Sequence, residues 1–392
     1  MRLGPQIVAC VLAVVSLMAS GRAETRSKAK PAAGRLLVYV GTYTVRDSKG
    51  IYVYRFDSGR LAPMGPSAVA AETANPSFLA VDSKRHHLYA VNEIEEYQGR
   101  KTGAVSAFRI DRNTGALRFL NQVSSGGTDP CFVSLDLAGK HVLVANYTSG
   151  SVSVFPVLPG GRLGKATAFV QHEGHSVNPE RQEGPHAHDI ALSPDGRFAL
   201  VADLGLDEVL VYRYDASKGS LAPNVPPFAK VSPGSGPRHF VFDPGGKFVD
   251  LVNEVRSTVT VFSYNPRRGA LHELQTLSAL PPAFPGHNDA AEIAIGRSGG
   301  FLYTSNRGDD SIAVFAIDPR RRTLKPVAHV PTLGKTPRNF AIDPSGAYLL
   351  AANQDSDNIV VFRIDPKTGI PAPTGQVVEV PSPVSITFMA VP

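Results

Sequence analysis

The sequence predicts an all-β protein, a seven-bladed β-propeller with four antiparallel strands per blade and a ring closed by the C-terminal strand pairing with the N-terminal blade. Three observations carry this reading. A unit of about 50 residues repeats along the chain, alternating apolar runs inside each unit are joined by tight-turn signatures, and the two chain ends supply complementary parts of one unit.

The repeat is clearest in VNEIEEYQGRKTGAVSAFRID, ANYTSGSVSVF, ADLGLDEVLVYRYD, VNEVRSTVTVFSYN, SNRGDDSIAVFAID and ANQDSDNIVVFRID. Each passes from an apolar strand through Asn or Asp into a polar turn, then into an alternating Val/Phe/Tyr strand. The anchors Asn92, Asn146, Asp203, Asn253, Asn306 and Asn353 are spaced by 54, 57, 50, 53 and 47 residues, and GTYTVRDSKGIYVYRFD, with Thr42, makes a seventh copy. Upstream of the anchors, turns such as Pro-Asp-Gly, Pro-Gly-Gly and Pro-Ser-Gly between apolar runs predict hairpins. The first copy lacks an upstream inner strand, whereas SPVSITFMAV at the C-terminus is an inner strand with nothing after it. Pairing the two would close the ring and remove exposed sheet edges.

The propeller is expected over residues 35–392, after a flexible leader at 24–34. Residues 1–23 have the layout of a secretory signal peptide: an early arginine, a thirteen-residue apolar run (IVACVLAVVSLMA) and a small-x-small cleavage point after Ala23. That run is short of the about 20 residues a spanning helix needs. The expectation is therefore export to the periplasm or medium, with no membrane association after signal removal. The remaining chain holds 38 Lys+Arg against 34 Asp+Glu and one cysteine, Cys131. It cannot form an internal disulfide. The charges are scattered and not interleaved with aromatics, which argues against a nucleic-acid partner.

In a propeller the first strand of each blade lines the central channel, so residues entering those strands crowd round one mouth. NPSF, DPCF and SPVS contribute Ser77, Cys131 and apolar groups. PHAHD, GPRHF, AAEI and TPRNF contribute His186, His188, Arg238, His239, Glu292, Arg338 and Asn339. Alternation puts His186 and His188 on one side of the chain, and counting back from the hairpin prolines aligns His188 with Arg238. The recurring anchors read as structural groups that cap the turns and accept left-handed geometry. His188, Arg238, Glu254 and Arg307 break the repeat with groups that are costly to bury unpaired. Structural ion pairing or a functional site would each account for them. The stretch QHEGHSVNPERQEGPHAHD (171–189) is rich in histidine and glutamate, but its spacing fits no metal template; no metal or other cofactor is expected.

NPERQEGPHAHDIALSPDGRFALVADLGLDEVLVY, with GSGPRHFVFDPGGKF, VNEVRSTVTVF, AEIAIGRSGGFLYTSNRGDDSIAVF and GKTPRNFAIDPSGAYLLAANQDSDNIVVF, resembles the β-propeller lactonase family, the 6-phosphogluconolactonase type related to carboxymuconate lactonising enzymes. The likeness spans residues 35–392. It implies a metal-independent site of His188, Arg238, Glu254 and Arg307. His188 would be the base that activates water, Glu254 would orient it or the water, and the two arginines would hold an anionic group or the developing oxyanion. His186, His239, Glu292, Arg338 and Asn339 are expected to contact substrate. The implied partner is a small lactone or sugar acid, either 6-phosphogluconolactone or an unphosphorylated aldonolactone. A muconate-type cycloisomerase and a non-catalytic scaffold are the alternatives.

Overall fold

The structure is a computed structural model that describes Met1 and residues 36–82, 84 and 86–391. The remainder of the expected signal peptide and the leader at 24–34 lie outside the described residues. The β-structure is arranged as seven sheets, each with a path of four strands, in the order the repeat predicts, with a small two-stranded ribbon at Glu96–Tyr97 and Arg100–Lys101 besides. Alternation explains it. In the strand Tyr348–Asn353, for example, Leu350 and Ala352 pack towards blade 1 while Leu349 and Ala351 pack towards blade 6.

Seven apolar clusters lie between neighbouring blades. One joins Val38 and Tyr54 of blade 1 to Leu350 and Val361 of blade 7, so the core runs unbroken round the ring. Each fully buried Val, Leu, Ile or Phe side chain is worth about 1.5–3 kcal/mol, and no blade could bury both of its faces alone. The ring closes as expected: the strand Pro383–Ala390 runs antiparallel to Leu36–Thr42, from Leu36 opposite Ala390 to Thr42 opposite Pro383.

The hairpin turns are built as the sequence predicts. Asp243 and Asp343 accept backbone N–H groups across their turns, and Gly246 and Gly346 take φ of 64° and 77° at the turn ends. The anchors are all fully buried and bond to their own turns and to the connection that enters their blade, as Asn306 Nδ2 does with the Ala279 carbonyl. Asn253 Nδ2 donates to Thr258 and Thr260, and Asp203 Oδ1 accepts from the backbone of His186, Gly205 and Leu206. The left-handed geometry expected of them falls four residues later, at Gly150, Asp207, Ser257, Asp310 and Asp357. An anchor still pairs in the sheet, so the chain reverses only after it. Among the described residues, no helix is long and apolar enough to cross a membrane.

Candidate active site

Each inner strand enters from the end where the anchors lie, and in six of the seven blades its first pairs are broken by a bulge, the exception being Leu79–Asp82 of blade 2. Opposite the anchor-bearing strand, pairing skips Cys131, His188, Arg238 and Arg338 in blades 3, 4, 5 and 7, and Val384 in blade 1. In blade 6 the skipped residues are Ala291 and Glu292. A bulge sets two residues against one and re-aims the side chain left unpaired. Repeated in six blades, it re-aims the residue at this strand position towards the axis.

These side chains wall a small, tight cavity, lined by Ser77, Phe78, Glu93, Cys131, His188, Arg238, His239, Arg338, Asn339 and Val384. Two larger grooves elsewhere, one beside Tyr97 and Phe169 and one beside Lys247 and His272, lack this concentration of buried ionisable groups.

Charge beside the cavity centres on Glu254. Its Oε2 takes Arg238 Nε at 2.8 Å and an Arg307 terminal nitrogen at 2.7 Å, and its Oε1 takes Arg181. Burial alone would raise the Glu254 pKa, but Arg307, Arg238, His188 and Arg181 together hold it well below the usual carboxylate range. A second cluster surrounds Glu292: His239 Nδ1 lies 3.2 Å from Oε1, and Asn339 Nδ2 donates to Oε2. Arg338 caps the ring of Tyr43 at 5.3 Å, and the Tyr43 hydroxyl donates to Glu93 Oε1 at 2.9 Å.

His188 is 3% exposed. Its ring meets His239 and Tyr147 edge-on, and its Nδ1 is 3.7 Å from Cys131 Sγ. Burial, then the Arg238 cation and the neighbouring His239, push its pKa well below the ordinary histidine value. Burial and Arg238 likewise hold His239 down to about 4. Burial and Arg307 bring Arg238 down to about 10, still charged at neutral pH. The mouth thus combines uncharged imidazoles with permanent cations.

The sequence-predicted residues fall into three positions. His188, Arg238, His239, Arg338 and Asn339 line the cavity; Glu254, Arg307 and Glu292 buttress it. His186 lies outside: it stacks on Tyr147 at 4.6 Å, bonds the Tyr147 carbonyl through Nδ1 and faces Glu183. The bulge at His188 breaks the alternation that grouped the two histidines. Glu254 spends its carboxylate on arginines, and no hydrogen bond joins it to His188 among the described residues.

Sequence reasoning did not single out Arg181 or Glu93. Arg181 comes from the 171–189 stretch and reaches across to Glu254 and Asp289. Apart from His188, the other histidines of that stretch are framework. His172 binds Asp203 at 2.6 Å, His175 bonds the carbonyl of Ser176, and His186 and His188 diverge.

Fold and site define a β-propeller with an ionisable site at one end of its axis. The match then becomes specific: residues 37–388 fit the family described as lactonase, 7-bladed β-propeller, and the chain belongs to that family of lactonase enzymes. It is 37% identical over 351 residues to the 6-phosphogluconolactonase of Bacillus subtilis (strain 168), covering 90% of this chain and 97% of that one. The 6-phosphogluconolactonase of Formosa agariphila is 36% identical over 312 residues, 78% and 85% of the two chains. The solved structure of the periplasmic gluconolactonase of Pseudomonas aeruginosa is 38% identical, with a TM-score of 0.85 over 91% of this chain and 100% of that one.

Proposed function

We propose that this lactonase opens an unphosphorylated sugar-acid lactone with water activated by His188, without a metal. The observation that carries the reading is a buried imidazole held in its basic form on the wall of a cavity shared with the guanidinium groups of Arg238 and Arg338. The neutral ring takes a proton from water at Nε2, the nitrogen turned away from Cys131, as the oxygen attacks the lactone carbonyl. Negative charge gathering on the carbonyl oxygen is met by cations already in place, so no reorganisation is needed at that moment. Glu254 serves here by fixing the arginines.

The choice of an unphosphorylated lactone rests on observations outside the cavity. Likeness to a periplasmic gluconolactonase and the signal-like layout of residues 1–23 support it. Mature protein isolated from a periplasmic or culture fraction should begin at Glu24; an intact Met1 there overturns the export reading.

The test is proton release above background from glucono-δ-lactone and from its 6-phosphate, with EDTA present throughout. Saturable opening of the unphosphorylated lactone is expected, with a loss of at least ~100-fold in His188→Ala, the size of effect general-base catalysis supplies. A preference for the phosphate overturns the substrate choice. Abolition by EDTA, restored by added metal, overturns metal independence.

A further inference from the structure

The tripeptide Val-Asn-Glu occurs twice at the anchor position, at 91–93 in blade 2 and at 252–254 in blade 5. The structure places the two glutamates alike. The backbone N–H of Glu93 donates to the carbonyl of Asn75 at 3.0 Å, as that of Glu254 does to Gly236 at 2.7 Å. In a ring of seven blades, positions three blades apart face each other across the axis. Glu254 is engaged on both oxygens by three arginines. Glu93 stands on the cavity wall itself, with Oε1 bonded to the Tyr43 hydroxyl and a buried Oε2 that makes no hydrogen bond in the fold.

We propose that Glu93 is a further catalytic residue of this site, the acid that delivers a proton through Oε2 to the ring oxygen of the lactone as the ring opens. The proposal rests on the hydrolytic reading above and completes its proton balance. Water adds to the carbonyl carbon and gives a proton to His188. The bond between that carbon and the ring oxygen then breaks, its electron pair stays on oxygen, and the Glu93 carboxyl protonates the oxygen to a hydroxyl. The imidazolium returns a proton to the Glu93 carboxylate, so one water and one lactone yield one hydroxy acid.

The surroundings support this division of labour. Glu93 faces Arg338 from blade 7, Tyr43 from blade 1, Ser77 beside it in blade 2, and Asp129 and Cys131 from blade 3. Burial outweighs Arg338 and the Ser77 and Tyr43 hydroxyls, so the carboxyl is pushed up from the ordinary glutamate value. His188 is pushed the opposite way. Two groups in one cavity whose affinities for the proton are driven apart in this sense suit an acid and a base respectively.

Glu93→Gln keeps the shape and the bond from Tyr43 but removes the proton. On glucono-δ-lactone, kcat is expected to fall about 100-fold, within the range for loss of a general acid, while KM changes less than about threefold, as expected for an interaction made only in the transition state. The wild-type kcat should decline as pH rises through the Glu93 pKa, and the variant should lose that alkaline limb. An unchanged kcat, or a retained limb with raised KM, overturns the role. Tyr43→Phe gives an independent reading should the glutamine variant not fold. The Tyr43 hydroxyl favours the ionised carboxylate, so its removal should move the limb to higher pH; an unmoved or lowered limb overturns the proposal. A wild type that opens neither lactone overturns the hydrolytic reading and this role with it, whereas an active wild type matched by Glu93→Gln overturns the role alone.

Discussion

Two sets of buried polar residues share one end of this propeller, and they use burial differently. The anchors, Asn92 to Asn353, recur in six blades and bond mainly to their own turns and to the connection that enters their blade, as Asn353 does with Asn358 and Thr332. The blade-specific set reaches across blade boundaries: Arg307 of blade 6 to Glu254 of blade 5, Asn339 of blade 7 to Glu292 of blade 6, and Arg338 of blade 7 over Tyr43 of blade 1. A repeated residue can be satisfied only by what every repeat offers, so its partners are local. A residue present once must find its partner where the ring brings another unique residue beside it. Binding and chemistry need different groups facing one small volume, which the second kind of contact provides.

The comparison is tested most severely at Glu254. Glu254→Gln would leave three guanidinium groups facing a neutral amide, with side-chain exposures of only 3% at Arg238 and 13% at Arg307. Removing one partner of a buried charge pair costs about 3–5 kcal/mol. Chemical denaturation should show a stability loss of that order together with loss of lactone opening. A variant as stable as wild type would show that the arginines do not depend on this carboxylate.

The blade-specific set should also couple stability to pH. The folded protein holds His239 at about 4, through burial and Arg238, against about 6.5 in the unfolded chain. Below pH 6.5 the unfolded state binds a proton that the folded state refuses, so stability falls as pH drops, levelling off near 4 at a loss of about 3 kcal/mol. Glu292, whose pKa is also lowered, loses its contribution in the same direction but below the ordinary carboxylate range. His239→Gln should flatten the slope between pH 6.5 and 4 in denaturation series; an undiminished slope would assign it to other groups.

How much of this was legible in the sequence follows from the same distinction. The repeat revealed the blades, the turns and the closing strand, because each is stated six or seven times. His188, Arg238 and Arg338 could be aligned because each stands at the same distance before a hairpin turn. The bulge that turns them inward leaves no mark on apolar alternation, which is why His186 grouped with His188 when it belongs against Tyr147. Arg181 could not be placed because it lies in a stretch with no counterpart in other blades, so no register says where its guanidinium lands. Glu93 was visible as half of a repeated tripeptide. Only its neighbours separate it from Glu254: three arginines on one, a tyrosine and an unbonded oxygen on the other.

The mildest effect is expected from the repeated set. Asn353 is fully buried, and its Nδ2 donates to the Thr332 carbonyl at 3.3 Å and to Asn358 at 2.8 Å. Asn353→Ala removes both bonds and leaves that carbonyl and the Asn358 oxygen short of a donor. Its expected cost is about 1–3 kcal/mol, the penalty for stranding a buried polar group, towards the lower end because its own Oδ1 is already without a partner and disappears with it. The equivalent anchors still hold five other blades, so the mouth keeps its shape and kcat on the lactone should stay within about twofold of wild type, less than a 1.4 kcal/mol change in barrier would produce. Thermal melting and initial rates measured on one preparation would decide it. A loss of activity larger than the loss of stability would mean that the anchors transmit strain to the cavity, and the division between local framework and cross-blade site would then have to be redrawn.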